Sequence, residues 1–240
     1  MLPGLVLLAA AATRVAANVE KVIFSGPAPA NIPHMSPALS HLNLDTLAPL
    51  SSSVRTNLSR SFVAAGEASD ARGQSAWLLL DHLTPGQRYE VRVCWAAIEP
   101  TSFVLDVHEL DAVWQTPELI QSLAQYATAR QSDDNSSARG PEAHAAPGQP
   151  KERQASILLL RVQAAADYFA DDLNLMQNPP PVLVDIILDP FLYNVVPHSL
   201  ALTASYVVLV SIVTWFLARR IASNLQIVAR APDVHAKKRE

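Results

Sequence analysis

The feature that most constrains this chain is a stretch near its end, Ser199 to Ala218, that carries no charge. Twenty residues at about 1.5 Å each cover roughly 30 Å, the thickness of the hydrocarbon core of a bilayer. Tyr193 and Trp215 stand near its two ends, where amphipathic rings favour the interface. Arg219 and Arg220 follow at once, and the 22 residues from Arg219 hold six basic side chains against two acidic ones. Paired arginines and a short basic tail argue against a buried helix of a soluble protein. The charge bias predicts a span at 199–218 and a cytosolic tail at 219–240.

The amino-terminal end agrees with that topology. Residues 2–12 form an apolar run too short to cross a bilayer comfortably, and Val15-Ala16-Ala17 offers signal peptidase the small side chains it needs. Residues 1–17 are therefore expected to be a signal peptide cleaved after Ala17. No basic residue precedes the apolar run, so an uncleaved anchor is the alternative. The expectation is a single-pass type I membrane protein. Its last four residues, Lys237-Lys238-Arg239-Glu240, place two lysines three and four positions from the end. Such a dilysine tail, cytosolic and close to a span, is read by the cytosolic coat that returns membrane proteins to the endoplasmic reticulum. Lys237 and Lys238 are the expected retrieval signal.

Residues 18–198 are then lumenal. They hold 11 Lys and Arg against 20 Asp and Glu, a balance of −9, which excludes a basic nucleic-acid surface. Seven glycines and eighteen prolines in the whole chain suggest a rigid lumenal part with many breaks. Asn57-Leu58-Ser59 and Asn135-Ser136-Ser137 are N-glycosylation sequons on the expected lumenal side. Cys94 is the only cysteine, so the domain has no internal disulfide and holds by packing or with help from a partner. Its bland reading is a half-buried core residue; an intermolecular disulfide is the sharper one.

Within the lumenal part the pattern changes near residue 115. Residues 18–115 read as short apolar runs separated by Pro, Ser and Asn turns. From Tyr89, one side of a strand carries Tyr89, Val91, Val93 and Trp95, and the other carries Glu90, Arg92 and Cys94. The Leu83-x-Pro85-x-x-x-Tyr89 spacing resembles the tyrosine corner of immunoglobulin-like and fibronectin type III sandwiches, in which a tyrosine hydroxyl ties the incoming corner to the strand. A second strand is expected at Ser102 to Glu109. The fold class expected is mainly β: an immunoglobulin/fibronectin-III-like lumenal sandwich plus one C-terminal transmembrane helix. A β-meander packed on a membrane partner is the alternative.

Thr116-Pro117-Glu118 supplies a cap, a first-turn proline and an early acid, predicting a helix over 116–130. Residues 131–154, without an apolar run, read as a disordered loop. In 155–198 a strand-like run from Ser156 to Val162 is followed by Asn178-Pro179-Pro180-Pro181. The apolar residues beyond it, from Val182, are expected to lie on the membrane or against another protein.

Catalytic constellations are scarce. Asp81-His82 and Asp106-x-His108-Glu109 offer metal-ligand side chains without the paired spacing of a zinc site, so no metal is expected. Asp167, Asp171 and Asp172 read as an exposed acidic turn. Asp185 and Asp189 are four apart and could assist a partner's active site, though capping or turn roles explain them more simply. No nucleophile elbow, phosphate-cradling loop or Cys-His pair occurs, which points away from an enzyme acting alone. No cofactor is expected. In the span, Ala201 and Ser205 form a small-xxx-small pair, and Thr203, Ser211 and Thr214 add hydroxyls that could bond across helices.

The start Asn18-Val19-Glu20-Lys21-Val22-Ile23-Phe24, the Leu83 to Trp95 segment, the single carboxy-terminal span and the short basic tail together resemble the fungal co-activator family of GPI mannosyltransferase II. The resemblance implies a non-catalytic subunit in the endoplasmic reticulum membrane. Its implied partner is the multi-span mannosyltransferase that adds the second mannose to the GPI precursor from dolichol-phosphate mannose. Two other readings share the topology: a lumenal binding adaptor such as a cargo or quality-control receptor, and a subunit of GPI mannosyltransferase I. The family has no catalytic motif to carry over, so no catalytic residue is assigned.

Overall fold

In the computed structural model of the protein, residues 18–32, 39–63, 73–136 and 153–230 are described. The Leu83–Tyr89 corner lies between two of the core strands and leads into the second of them. Strand β6 (Arg88–Trp95) begins at this corner, and the Tyr89 hydroxyl accepts the Thr84 N–H at 2.9 Å while donating to Gln87 Oε1 at 3.0 Å. The tie predicted from spacing is present, with Tyr89 wholly buried. Gly26 lies against the same corner, and a Cβ there would stand 2.3 Å from the Thr84 carbonyl oxygen, so only glycine fits.

Two sheets pack face to face. The first contains β1 (Val19–Ser25), β4 (Ser53–Leu58), β6, β10 (Val182–Leu192) and the short β11 (Val196–Pro197). In it β10 is central: β6 pairs along one edge, and β4 and β11 pair along the other. The second sheet runs β3 (Asp45–Leu47), β5 (Gln74–Leu80), β9 (Leu158–Ala166), β7 (Thr101–His108). A two-stranded ribbon joins β2 (Ala30–Ile32) to β8 (Arg153–Ala155).

Period-two alternation builds the core between the sheets. Val91 and Val93 of β6 with Val184, Ile186 and Leu188 of β10 meet Leu78 and Leu80 of β5 and Leu160 and Val162 of β9. Each such buried aliphatic side chain is worth about 1.5–3 kcal/mol over its exposed state. The structure is mainly β, as the sequence predicts. The sandwich, however, does not stop near residue 115: β9 and β10, both from 155–198, occupy central places in the two sheets. The apolar residues expected to lie on a membrane or partner between 182 and 191 are instead half of a core strand. They alternate with outward Asp185 and Asp189.

The second sheet is buried on both faces. Helices α1 (Leu110–Gln115) and α2 (Pro117–Ser136) cover its outside, where Trp77, Leu159, Val113, Leu119 and Leu123 form a second cluster. Trp77 Nε1 donates to Ser122 Oγ at 3.1 Å, and Arg130 forks onto Asp45 at 2.6 and 3.1 Å, pinning α2 to the sheet. Helix α2 begins as predicted and runs six residues past its expected end at 130. Arg153 and Gln154, also in the expected 131–154 loop, pair in β8. A short α3 (Leu173–Gln177) leads into β10, and α4 (Ala201–Arg230) leaves the sandwich as a 30-residue helix whose side chains are exposed from Leu202 to Ile227. It is long and apolar enough to cross a membrane. It continues through Arg219 and Arg220 without a break.

Candidate functional site

The region where the sandwich meets α4 gathers the most side-chain chemistry, and β6 and β10 position it. Because Asp189 pairs with Glu90 and Ile187 with Arg92 across the two strands, their outward side chains stand in neighbouring rows. Lys21 on β1 reaches Glu90 at 3.3 Å, and Arg92 lies 3.8 Å from Glu90 and 4.0 Å from Asp189. Glu90 and Asp189 are each only 5% exposed although they face outward. A short 3-10 turn at His198–Leu200 packs against β10 there. Asp189 accepts from the Ser199 N–H at 3.2 Å and from the Ser199 hydroxyl, so a carboxylate in mid-strand caps the start of the apolar helix. The capping role weighed for Asp189 is the observed one.

One turn further, β10 and β11 close a tight hairpin, Leu192-Tyr193-Asn194-Val195, with the Val195 N–H bonded to the Leu192 carbonyl at 3.0 Å. Tyr193 and Asn194 both have positive φ, 51° and 59°, the conformation of the hairpin turn that matches strand twist. Asn194 tolerates it better than most residues; Tyr193 does not. Asn194 fixes the turn from outside: its amide donates to the Gly86 carbonyl at 3.0 Å, and its oxygen accepts the Arg88 N–H at 2.8 Å. The Arg88 guanidinium bonds the Asn194 carbonyl at 3.2 Å and lies over the Phe191 ring. The hairpin is thereby locked to the tyrosine corner.

The remaining residues singled out in the sequence are dispersed. Arg55 holds Asp185 in a fork of 2.6 and 2.7 Å, which keeps the Asp185 carboxyl below its usual range. Asp172 caps α3 through the Asn174 N–H, and Asp167 and Asp171 are exposed beside it, the acidic turn expected. His82 sits at positive φ after β5 with Nδ1 3.3 Å from Asp81. Asp106 pairs with Arg161 at 2.7 Å, while His108 packs on Trp77; burial first and Arg161 second lower the His108 pKa. Among the described residues no cluster of three His, Cys, Asp or Glu could hold a metal. Burial pushes the half-buried Cys94 thiol up. Asn57 is exposed on the edge strand β4, and Asn135 falls in the last turn of α2. In α4, Ser205 and Ser211 donate back to Leu202 and Val207, so these hydroxyls are satisfied within their own helix. Ala17, Lys237 and Lys238 lie outside the described residues.

Sequence reasoning missed Lys21, Glu90, Arg92 and Ser199 as a unit, and the only signal was the outward side of the alternation in β6. The geometry that emerges is a sandwich whose central strand is clasped to an apolar helix. Residues 12–119 match the Pga1 family, GPI-mannosyltransferase II co-activators. This match supports the resemblance drawn from the sequence. It takes in β1 to β7 and α1 and reaches the first turn of α2, leaving β9, β10 and α4 beyond it. Comparison with curated proteins and with solved structures gives no significant match.

Proposed function

We propose that this protein is a non-catalytic subunit that stabilises or activates the mannosyltransferase adding the second mannose to the GPI-anchor precursor in the endoplasmic reticulum. The observation that carries this reading is the co-activator family match over residues 12–119. The junction suits such a role, because its acidic side chains are engaged by Lys21, Arg92 and Ser199 in holding domain and helix together. In this reading α4 crosses the membrane once, residues 18–198 are lumenal after cleavage at Ala17, and the multi-span enzyme is the partner. Asn57 and Asn135 are the glycan acceptors, and Lys237 and Lys238 are the signal for the cytosolic retrieval coat. The partner contact is reassigned from the 182–191 run, which the core consumes, to α4 and the exposed faces of the sandwich.

Affinity purification of the tagged protein in mild detergent is expected to recover a multi-span mannosyltransferase. Depleting the protein is expected to accumulate GPI precursors bearing one mannose. Normal precursors would overturn the proposal, and precursors without mannose would move the protein to the first mannosyltransferase.

A further inference from the structure

Exposed apolar side chains gather at both ends of the sandwich, and Ile98, Phe169 and Leu173 lie at the end where β10 begins, far from the helix. At the end where β10 reaches the helix, two turn tips project. One carries Leu192, Tyr193 and Val195, with Tyr193 98% exposed; the other, between β3 and β4, carries a fully exposed Leu50. Strand pairing bounds how far each tip lies from the start of α4. Tyr193 is two residues beyond Phe191, about 7 Å at ~3.3 Å per residue, and Phe191 is paired with Pro197 immediately before the helical turn. Leu50 is two residues from Ser52, whose carbonyl accepts the Leu188 N–H, next to the Asp189 that holds Ser199. Both tips therefore lie within roughly 10–15 Å of the point where the charge-free stretch begins. A bilayer has about 5–7 Å of headgroup region outside each edge of its hydrocarbon core, so a tip displaced mainly sideways from the helix start falls within that layer.

We infer that these two tips dip into the interfacial layer of the lumenal leaflet, so that the sandwich stands end-on to the bilayer, attached at three points. Charge decides between the surfaces that flank the helix start. The outer face of the first sheet carries Lys21, Arg55, Arg92 and Asp185 beside the buried Glu90, and laying it on lipid would strip water from the first four. The tips cost nothing comparable and gain apolar burial. Tyrosine, with an apolar body and a polar end, suits that depth. Arg88 beside the hairpin carries the charge a lipid phosphate would meet. The locking of Asn194 to Gly86 and Arg88 presents the tip already formed, without an ordering cost on contact. The opposite end is out of reach, since the eleven residues of β10 alone span about 36 Å.

This rests on the reading of α4 as a span, and the experiment separates the two. The full chain in a Cys94→Ser background is reconstituted without partner into phosphatidylcholine vesicles. Nitroxides are placed singly by Tyr193→Cys, Leu50→Cys, Ile98→Cys at the far end (89% exposed) and Val208→Cys in α4. Should the background fail to fold, labelling with Cys94 retained and subtracting the labelled parent spectrum gives the same readout. The expected result is that the Tyr193 and Leu50 labels are shielded from a water-soluble nickel relaxant and relaxed by oxygen, several-fold apart from the Ile98 label. Tip labels as open to nickel as Ile98, with Val208 immersed, overturn the inference alone. An exposed Val208 label overturns the span reading with it. Tip shielding that appears only after adding the transferase overturns lipid as the occupant.

Discussion

On the outside of the β3-β5-β9-β7 sheet, Trp77 and Leu159 are sealed beneath α1 and α2. The outside of the other sheet offers water a lattice of Lys21, Arg55, Arg92 and Asp185, laid over a buried Glu90. The two faces belong to one fold and alternate with the same core, so the contrast is one of what each must meet. A face that the chain covers itself can be apolar throughout, which is why Leu158–Leu160 runs without alternation. A face left open must be polar, and its ion pairs then join strands distant in sequence. The covered face is finished; the open face ends at Asp189, where it holds the helix.

This contrast predicts a graded set of effects. Trp77→Ala, which empties the covered face and leaves Ser122 without its donor, is expected to cost about 3–5 kcal/mol in denaturant unfolding of the full chain in detergent. A loss below about 1 kcal/mol would mean the helices are not a true third layer. Asp189→Asn keeps the shape and removes the charge, and is expected to cost about 1–2 kcal/mol. The specific readout is faster hydrogen exchange at Ser199 and Leu200, by about an order of magnitude per 1.4 kcal/mol, with the β5 and β9 amides affected less.

A smaller effect concerns pH. The native His108 pKa is lowered, so the unfolded chain binds its proton more readily. Stability is then full above the ordinary imidazole value of 6.5 and falls as pH drops through it toward the depressed native value. His108→Gln is expected to flatten that part of the stability-against-pH curve; an unchanged slope would place the titration elsewhere. Smallest of all, Arg55→Ala on the open face is expected to leave the melting temperature unchanged within error, because its pair with Asp185 is solvated. A clear destabilisation there would show the open face to be more tightly knit than its exposure suggests.

What could be read from residues alone follows the distance over which each feature is specified. The tyrosine corner spans seven residues and Tyr89 ties back to Thr84, so spacing sufficed. The apolar helix and the start of α2 at Pro117 are likewise local. Strand β10 has a weak period-two signal for a physical reason: Leu183 and Ile187 on its outward side are as apolar as the inward Val184 and Ile186, so the run reads as continuously apolar. Only pairing with β6, nearly a hundred residues earlier, reveals it as core. The junction was illegible on the same grounds. Lys21 meets Glu90 across 69 residues, and Ser199 takes its cap from a strand rather than from the residue before the helix.

The central place of β10 has a consequence for how the protein is made. The first sheet lacks its middle until Val182–Leu192 arrives, and that strand is followed almost at once by the apolar helix α4. On the proposed lumenal topology, β1, β4 and β6 wait during synthesis with an open gap until β10 emerges at the bilayer surface. On that topology the domain closes only as its tether reaches the membrane, which would couple completion of the sandwich in time to the insertion of α4.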